Sequence, residues 1–79
     1  PQVLENVRVQ NKKTAREDPA VQAAVDAVAA ELGDTGRVLV RESGTEPVLR
    51  VMVEAPEDAV CRQCVDRVVD VIRRNGHCV

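Results

Sequence analysis

None of the 79 residues is Phe, Tyr or Trp. A chain without aromatic side chains has to build its interior from smaller groups, here mostly Val with Leu, Ile, Ala, Met and Cys, and each buries less surface than a ring would. The length suits one domain with a thin core, since a chain of this size hides only about 60% of the surface it exposes when unfolded. The same absence removes any platform for stacking bases, which excludes nucleic-acid recognition of that kind. The 11 basic and 13 acidic residues are interspersed and leave a net charge of −2. There is neither a basic stripe for a phosphodiester backbone nor a polybasic membrane anchor, so no nucleic-acid or membrane partner is expected.

No apolar run approaches the roughly 18 residues that would span a bilayer, and PQVLENVRVQ lacks the charged-then-apolar layout of a signal peptide. A cytoplasmic location is the default expectation, and the odd count of three cysteines suits reduced thiols better than a disulfide framework. The chain opens on a strand-like segment without Met. That suggests a domain cut from a longer protein.

Residues 3–10 alternate, with Val3, Val7 and Val9 on one side and Leu4, Asn6, Arg8 and Gln10 on the other; this is a strand with one wetter face, spoiled on its apolar side by Glu5. The polar NKKTARED reads as a solvated loop. Asp18 followed by Pro19 is the preferred start of a helix, whose stripe is Val21, Val25, Val28 and Leu32 and whose C-cap is Gly33. RVLVR (37–41) and VLRVMVE (48–54) read as two neighbouring strands. A second helix starts at Pro56-Glu57-Asp58 with acids in its first turn, carries the stripe Cys61, Val65, Val68 and Ile72 widened by Val60 and Val71, and ends on Arg73 and Arg74. His77 to Val79 form a tail or a last short strand. The expected fold is therefore α+β, a two-layer sandwich with order β-α-β-β-α, in which two helices pack on one face of a small, mostly antiparallel sheet.

The connection between the second and third strands, RESGTEP, is longer than the tightest hairpin turn and has the composition of an anion cradle. Gly44 permits positive φ and lets backbone N–H groups approach an oxyanion, Ser43 and Thr45 add hydroxyl donors, and Arg41 and Arg50 supply guanidinium forks. The rival reading is a solvated hairpin loop, in which Glu42 and Glu46 offset the two arginines. Cys61-x-x-Cys64 with His77-Cys78 has the residue types of a zinc site, but mid-helix cysteines on an apolar stripe read as buried and inert, and His77 has no visible partner. Gly33-Asp-Thr-Gly36 reads as a turn rather than an RNA clamp, because it carries an acid where a backbone clamp wants bases.

VLVRESGTEPVLRVMVE resembles the C-terminal signature of the α-D-phosphohexomutases, an Arg-x-Ser-Gly/Asn-Thr-Glu-Pro loop followed shortly by Arg. Its RVMVE continuation, with QVLENVRV near the start, is most similar to the bacterial members that interconvert glucosamine 6-phosphate and glucosamine 1-phosphate. The resemblance covers most of the chain with the same order of elements. It implies that residues 1–79 are one domain, the C-terminal phosphate-binding domain of a larger isomerase, which holds the phosphate that is not reacting. Arg41, Ser43, Gly44 and Thr45 are the implied phosphate contacts, with Arg50 a further candidate and Glu46 a structural partner for an arginine or a backbone N–H. No catalytic residue and no metal ligand is implied within the chain, which alone is expected to be inactive. A phosphoserine and Mg²⁺ belong to the full-length enzyme, and the implied partners are a phosphosugar and the other domains of that enzyme. The alternatives are a phosphomannomutase or phosphoglucomutase C-terminal domain, or a free-standing binding or scaffold module.

Overall fold

The period-two stretches pair into one antiparallel sheet. Its strands are β1 (Gln2–Arg8), β2 (Arg37–Glu42) and β3 (Val48–Glu54); α1 (Lys12–Glu17) and α2 (Pro19–Leu32) lie between β1 and β2, and α3 (Asp58–Arg74) follows β3. A computed structural model describes all 79 residues. The strand order is β1-β3-β2, so the last strand in the sequence is the central one. Register places Val3, Glu5 and Val7 opposite Val53, Val51 and Leu49, and Val38, Val40 and Glu42 opposite the same three from the other side. These residues share the face against which the helices pack, and Leu49, Val51 and Val53 are completely buried there. The alternate positions, among them Leu4, Asn6, Arg41, Arg50 and Met52, point to the opposite, helix-free face. The architecture is the expected α+β two-layer sandwich.

Asp18 caps α2 as its sequence implies, accepting from the Ala20 N–H at 2.8 Å with Pro19 in the first turn, and Gly33 ends the helix at φ 54°. The four α3 stripe residues are all fully buried. Val60 and Val71 widen the stripe as half-buried residues packed against the core, and Cys64 and Val69 widen it further as buried ones, because α3 packs against α2 as well as β1 and β3. Glu5, the misfit on β1, is answered from α3 by Arg62 at 2.8 Å.

Two features depart from the expected layout. The segment read as a loop contains α1, a six-residue helix capped by the Asn11 side chain on the Thr14 N–H. Its one buried residue is Ala15, too little apolar content to make a stripe, yet Lys, Arg, Ala and Glu all favour helix. Second, His77 does have a partner. Its Nε2 lies 2.6 Å from Asp18 Oδ2, which also accepts from Asn75 Nδ2 at 2.9 Å, and the backbone beyond makes an isolated antiparallel bridge, Cys78 with Val9, just past the end of β1. These contacts, led by the hydrogen bond to His77, lower the Asp18 carboxyl from 3.8 to about 2. The turn read at Gly33-Asp-Thr-Gly36 is present as a single 3₁₀ turn over Gly33–Thr35 that delivers the chain to Gly36, where an added Cβ would sit 2.1 Å from the Glu54 carbonyl oxygen.

Cys61 and Cys64 lie in the core and Cys78 is half-buried, all three as free thiols. Burial pushes the Cys64 thiol up, away from the thiolate that metal binding or nucleophilic chemistry requires. No helix is long and apolar enough to cross a membrane.

Candidate functional site

Hairpin geometry fixes the loop between β2 and β3. The Ser43 N–H donates to the Val48 carbonyl at 2.9 Å, the Val48 N–H to the Glu46 carbonyl at 2.8 Å, and the Glu46 N–H to Ser43 Oγ at 3.4 Å. Ser43 thus accepts with its hydroxyl oxygen and keeps its own O–H free to donate outward. At the tip, the amides of Gly44 and Thr45 donate to nothing within the chain. Gly44 is not in the left-handed region, and a Cβ there would meet no atom within 4 Å. The positive φ expected of it is not needed; what its missing side chain leaves is open space beside the free amides.

The two acids of the motif do not neutralise Arg41 and Arg50. Glu42 belongs to the helix-facing side of β2, where its carboxylate takes Arg16 from α1 at 2.5 Å. Glu46 lies 3.6 Å from Arg8 of β1, an exposed pair of the kind worth little in water. Arg41 and Arg50 make no salt bridge, and register sets them directly opposite one another. Like charges in opposed positions on one sheet face disfavour the pairing, and an anion between or beside them removes that cost.

Ser43, Thr45 and Arg50 line a cavity of about 320 Å³ on the helix-free face, together with Asn6, Arg8, Glu46 and Val48. Arg41 is not part of its lining. It flanks the adjoining hollow with Arg50, Leu4, Leu39 and Met52, so Arg50 stands between the two depressions. Three residues at the site escaped the sequence reading. Asn6 and Arg8 were placed on the wet face of β1 by alternation, but only the β1–β3 pairing brings them to the loop. Lys12 lay in the presumed loop; its ammonium reaches the Ser43 carbonyl at 2.5 Å and the Glu46 carbonyl at 3.2 Å.

Hydroxyls, unbonded amides and guanidinium groups around a wet hollow are the equipment for holding an anion by charge-assisted hydrogen bonds. They provide neither a nucleophile–base pair nor a metal cage, and nowhere do three His, Cys, Asp or Glu side chains converge as ligands. No chemical step through magnesium is therefore assigned to these residues.

The chain is 58% identical over its whole length to a phosphoglucosamine mutase of Lachnospira eligens, of which it covers 18%. It is 54% identical over 94% of its length to that of Geobacillus thermodenitrificans, covering 16% of that protein. The chain thus spans less than a fifth of the length of these curated relatives. Among solved structures, it superposes with a TM-score of 0.81, at 27% identity over 98% of the chain, on 16% of an Aspergillus fumigatus N-acetylphosphoglucosamine mutase variant in complex with glucose 1,6-bisphosphate. The same fungal enzyme in complex with GlcNAc-6P and magnesium matches with a TM-score of 0.76 at 28% identity, over 96% of this chain and 16% of the other. Residues 4–71, from the first strand through the loop to the last helix, match the family described as phosphoglucomutase/phosphomannomutase, C-terminal domain, and the chain belongs to that family.

Proposed function

We propose that this chain is the phosphate-gripping domain of a phosphoglucosamine mutase, and that its β2–β3 loop holds the non-reacting phosphate of glucosamine phosphate while the other end of the sugar is processed. The observation that carries the reading is the exposed tip itself. Two amides without an acceptor in the chain, at Gly44 and Thr45, belong to the loop whose Ser43 and Thr45 line a hollow with the unpaired guanidinium of Arg50. Arg41 adds a second fork from β2 across the adjoining hollow, while Arg8 of β1 lines the cavity paired with Glu46. The 53–58% identity to phosphoglucosamine mutases supports glucosamine rather than mannose or glucose as the sugar.

In this role the domain does no bond-making. Binding energy from the remote phosphate aligns the sugar and lowers the entropy cost of reaching the reactive geometry. The phosphoryl-transfer steps, with the Mg²⁺ and the phosphoserine implied by the family resemblance, are assigned to the rest of the full-length protein. That division also explains how a shallow, open hollow suffices here.

The 79-residue chain alone presents one wall of such a site, so millimolar affinity or weaker is expected, about −4 kcal/mol at best. Titrating it with glucosamine 6-phosphate and following backbone amides by NMR should shift Ser43, Gly44 and Thr45 together. Unphosphorylated glucosamine should leave them unmoved. Shifts confined to the helices, or an equal response to glucosamine, would refute the assignment.

A further inference from the structure

We infer that Lys12 is a positioning residue for the phosphate loop, acting from behind it through two peptide groups; the inference rests on the phosphate-binding reading above. Lys12 Nζ reaches both the Ser43 and the Glu46 carbonyl oxygens. A trans peptide is planar, so its C=O and N–H point in opposite directions. Holding the Ser43 carbonyl toward α1 therefore turns the N–H of the same peptide, that of Gly44, away from α1. This is one of the two tip amides without a partner in the chain. The Glu46 carbonyl, shared between Lys12 and the Val48 N–H, fixes the other end of the loop, where Pro47 offers no N–H of its own.

Local structure argues that this is the purpose of the side chain. Lys12 is the first residue of α1 and that first turn contains no acid, although the helix dipole disfavours a cation at that end. The helix that carries it is itself tied to the loop's root, through the buried Ala15 and the Arg16–Glu42 pair. A cation placed there restrains the loop in advance and adds positive potential behind the phosphate without occupying the binding face. In the free protein it reduces the ordering that binding would otherwise demand.

The test titrates inorganic phosphate into the 79-residue chain and into Lys12→Met, which keeps the stem and removes the ammonium, while following Gly44 and Thr45 amides and the Ser43 and Glu46 carbonyl carbons. Phosphate should move both amides in the parent. In Lys12→Met the two carbonyl carbons should shift before any phosphate is added, and binding should weaken roughly tenfold. Lys12→Arg should restore part of the affinity, which a loss of packing alone would not predict. Should Met at this position unfold the chain, Lys12→Gln carries the same expectations. Unchanged carbonyl shifts, or unchanged affinity in a folded Lys12 variant of a parent that binds phosphate, would overturn the inference alone. A parent that gives no response at Gly44 and Thr45 would overturn the phosphate-binding reading with it.

Discussion

Gly36 and Gly44 have the same side chain and opposite reasons for it. At Gly36 the backbone runs so close to the end of β3 that a Cβ would lie 2.1 Å from the Glu54 carbonyl oxygen, and the obstacle is main chain that cannot rotate aside. Gly36→Ala should therefore force the α2–β2 connection away from the sheet and cost about 1–3 kcal/mol, the usual range for overpacking. Gly44 faces open space with ordinary φ, so Gly44→Ala should leave stability within about 0.5 kcal/mol. The added methyl lies beside the free tip amides, however, and should weaken phosphate binding. Thermal unfolding of both variants with a phosphate titration of the second would check the contrast; a stable Gly36→Ala, or a Gly44→Ala that binds phosphate normally, would count against it.

Among the elements, the C-terminal segment is held by a contact that acid should loosen. Asp18 ends α1, caps α2, and receives His77 and Asn75 from beyond α3, and its carboxyl is lowered from 3.8 to about 2. A group whose folded pKa is depressed adds stability that is complete above its unfolded value and disappears as pH falls through the folded one. Stability held by this cluster should thus be full above about pH 4 and lost between about pH 4 and 2. Asp18→Asn should be less stable near neutrality and show a shallower acid slope, measurable by thermal unfolding at stepped pH; identical slopes would contradict the assignment. The cluster also shows where reading the sequence stops. The β2–β3 hairpin and α3 were legible because their periodicity is local and strong, whereas α1 has only Ala15 to bury and the partners of His77 lie at the far end of the chain. Of the residues at the candidate site, Ser43, Thr45, Glu46 and Arg50, which line its cavity, were legible as a motif. Arg8 and Lys12 were not, since strand order and the docking of α1 bring them there. The objection that Glu42 and Glu46 would cancel the arginines failed for a related reason: pairing register sends Glu42 through to the other face, and Arg8 takes Glu46.

At the scale of the whole molecule, the two layers have different duties. Helices and sheet meet in a valine-rich interior on one side, which supplies the stability of a chain with no aromatic residue. The helix-free face is the one to which phosphate recognition is proposed to belong, and there the fold tolerates Arg41 directly opposite Arg50. A pairing that slightly opposes folding is retained, on this account, because phosphate binding uses it. Removing either arginine should therefore separate function from stability. The most direct measurement is steady-state turnover of glucosamine 6-phosphate by the full-length enzyme carrying Arg41→Ala or Arg50→Ala, with Tm recorded alongside. Loss of one charge-assisted hydrogen bond predicts a fall in kcat/KM of roughly ten- to a hundred-fold, with Tm unchanged or slightly raised as the like charges are relieved. Arg41→Lys should recover only part of the loss, because an ammonium keeps the charge and loses the fork. Unchanged kcat/KM in both alanine variants, or activity lost only in step with unfolding, would contradict the account.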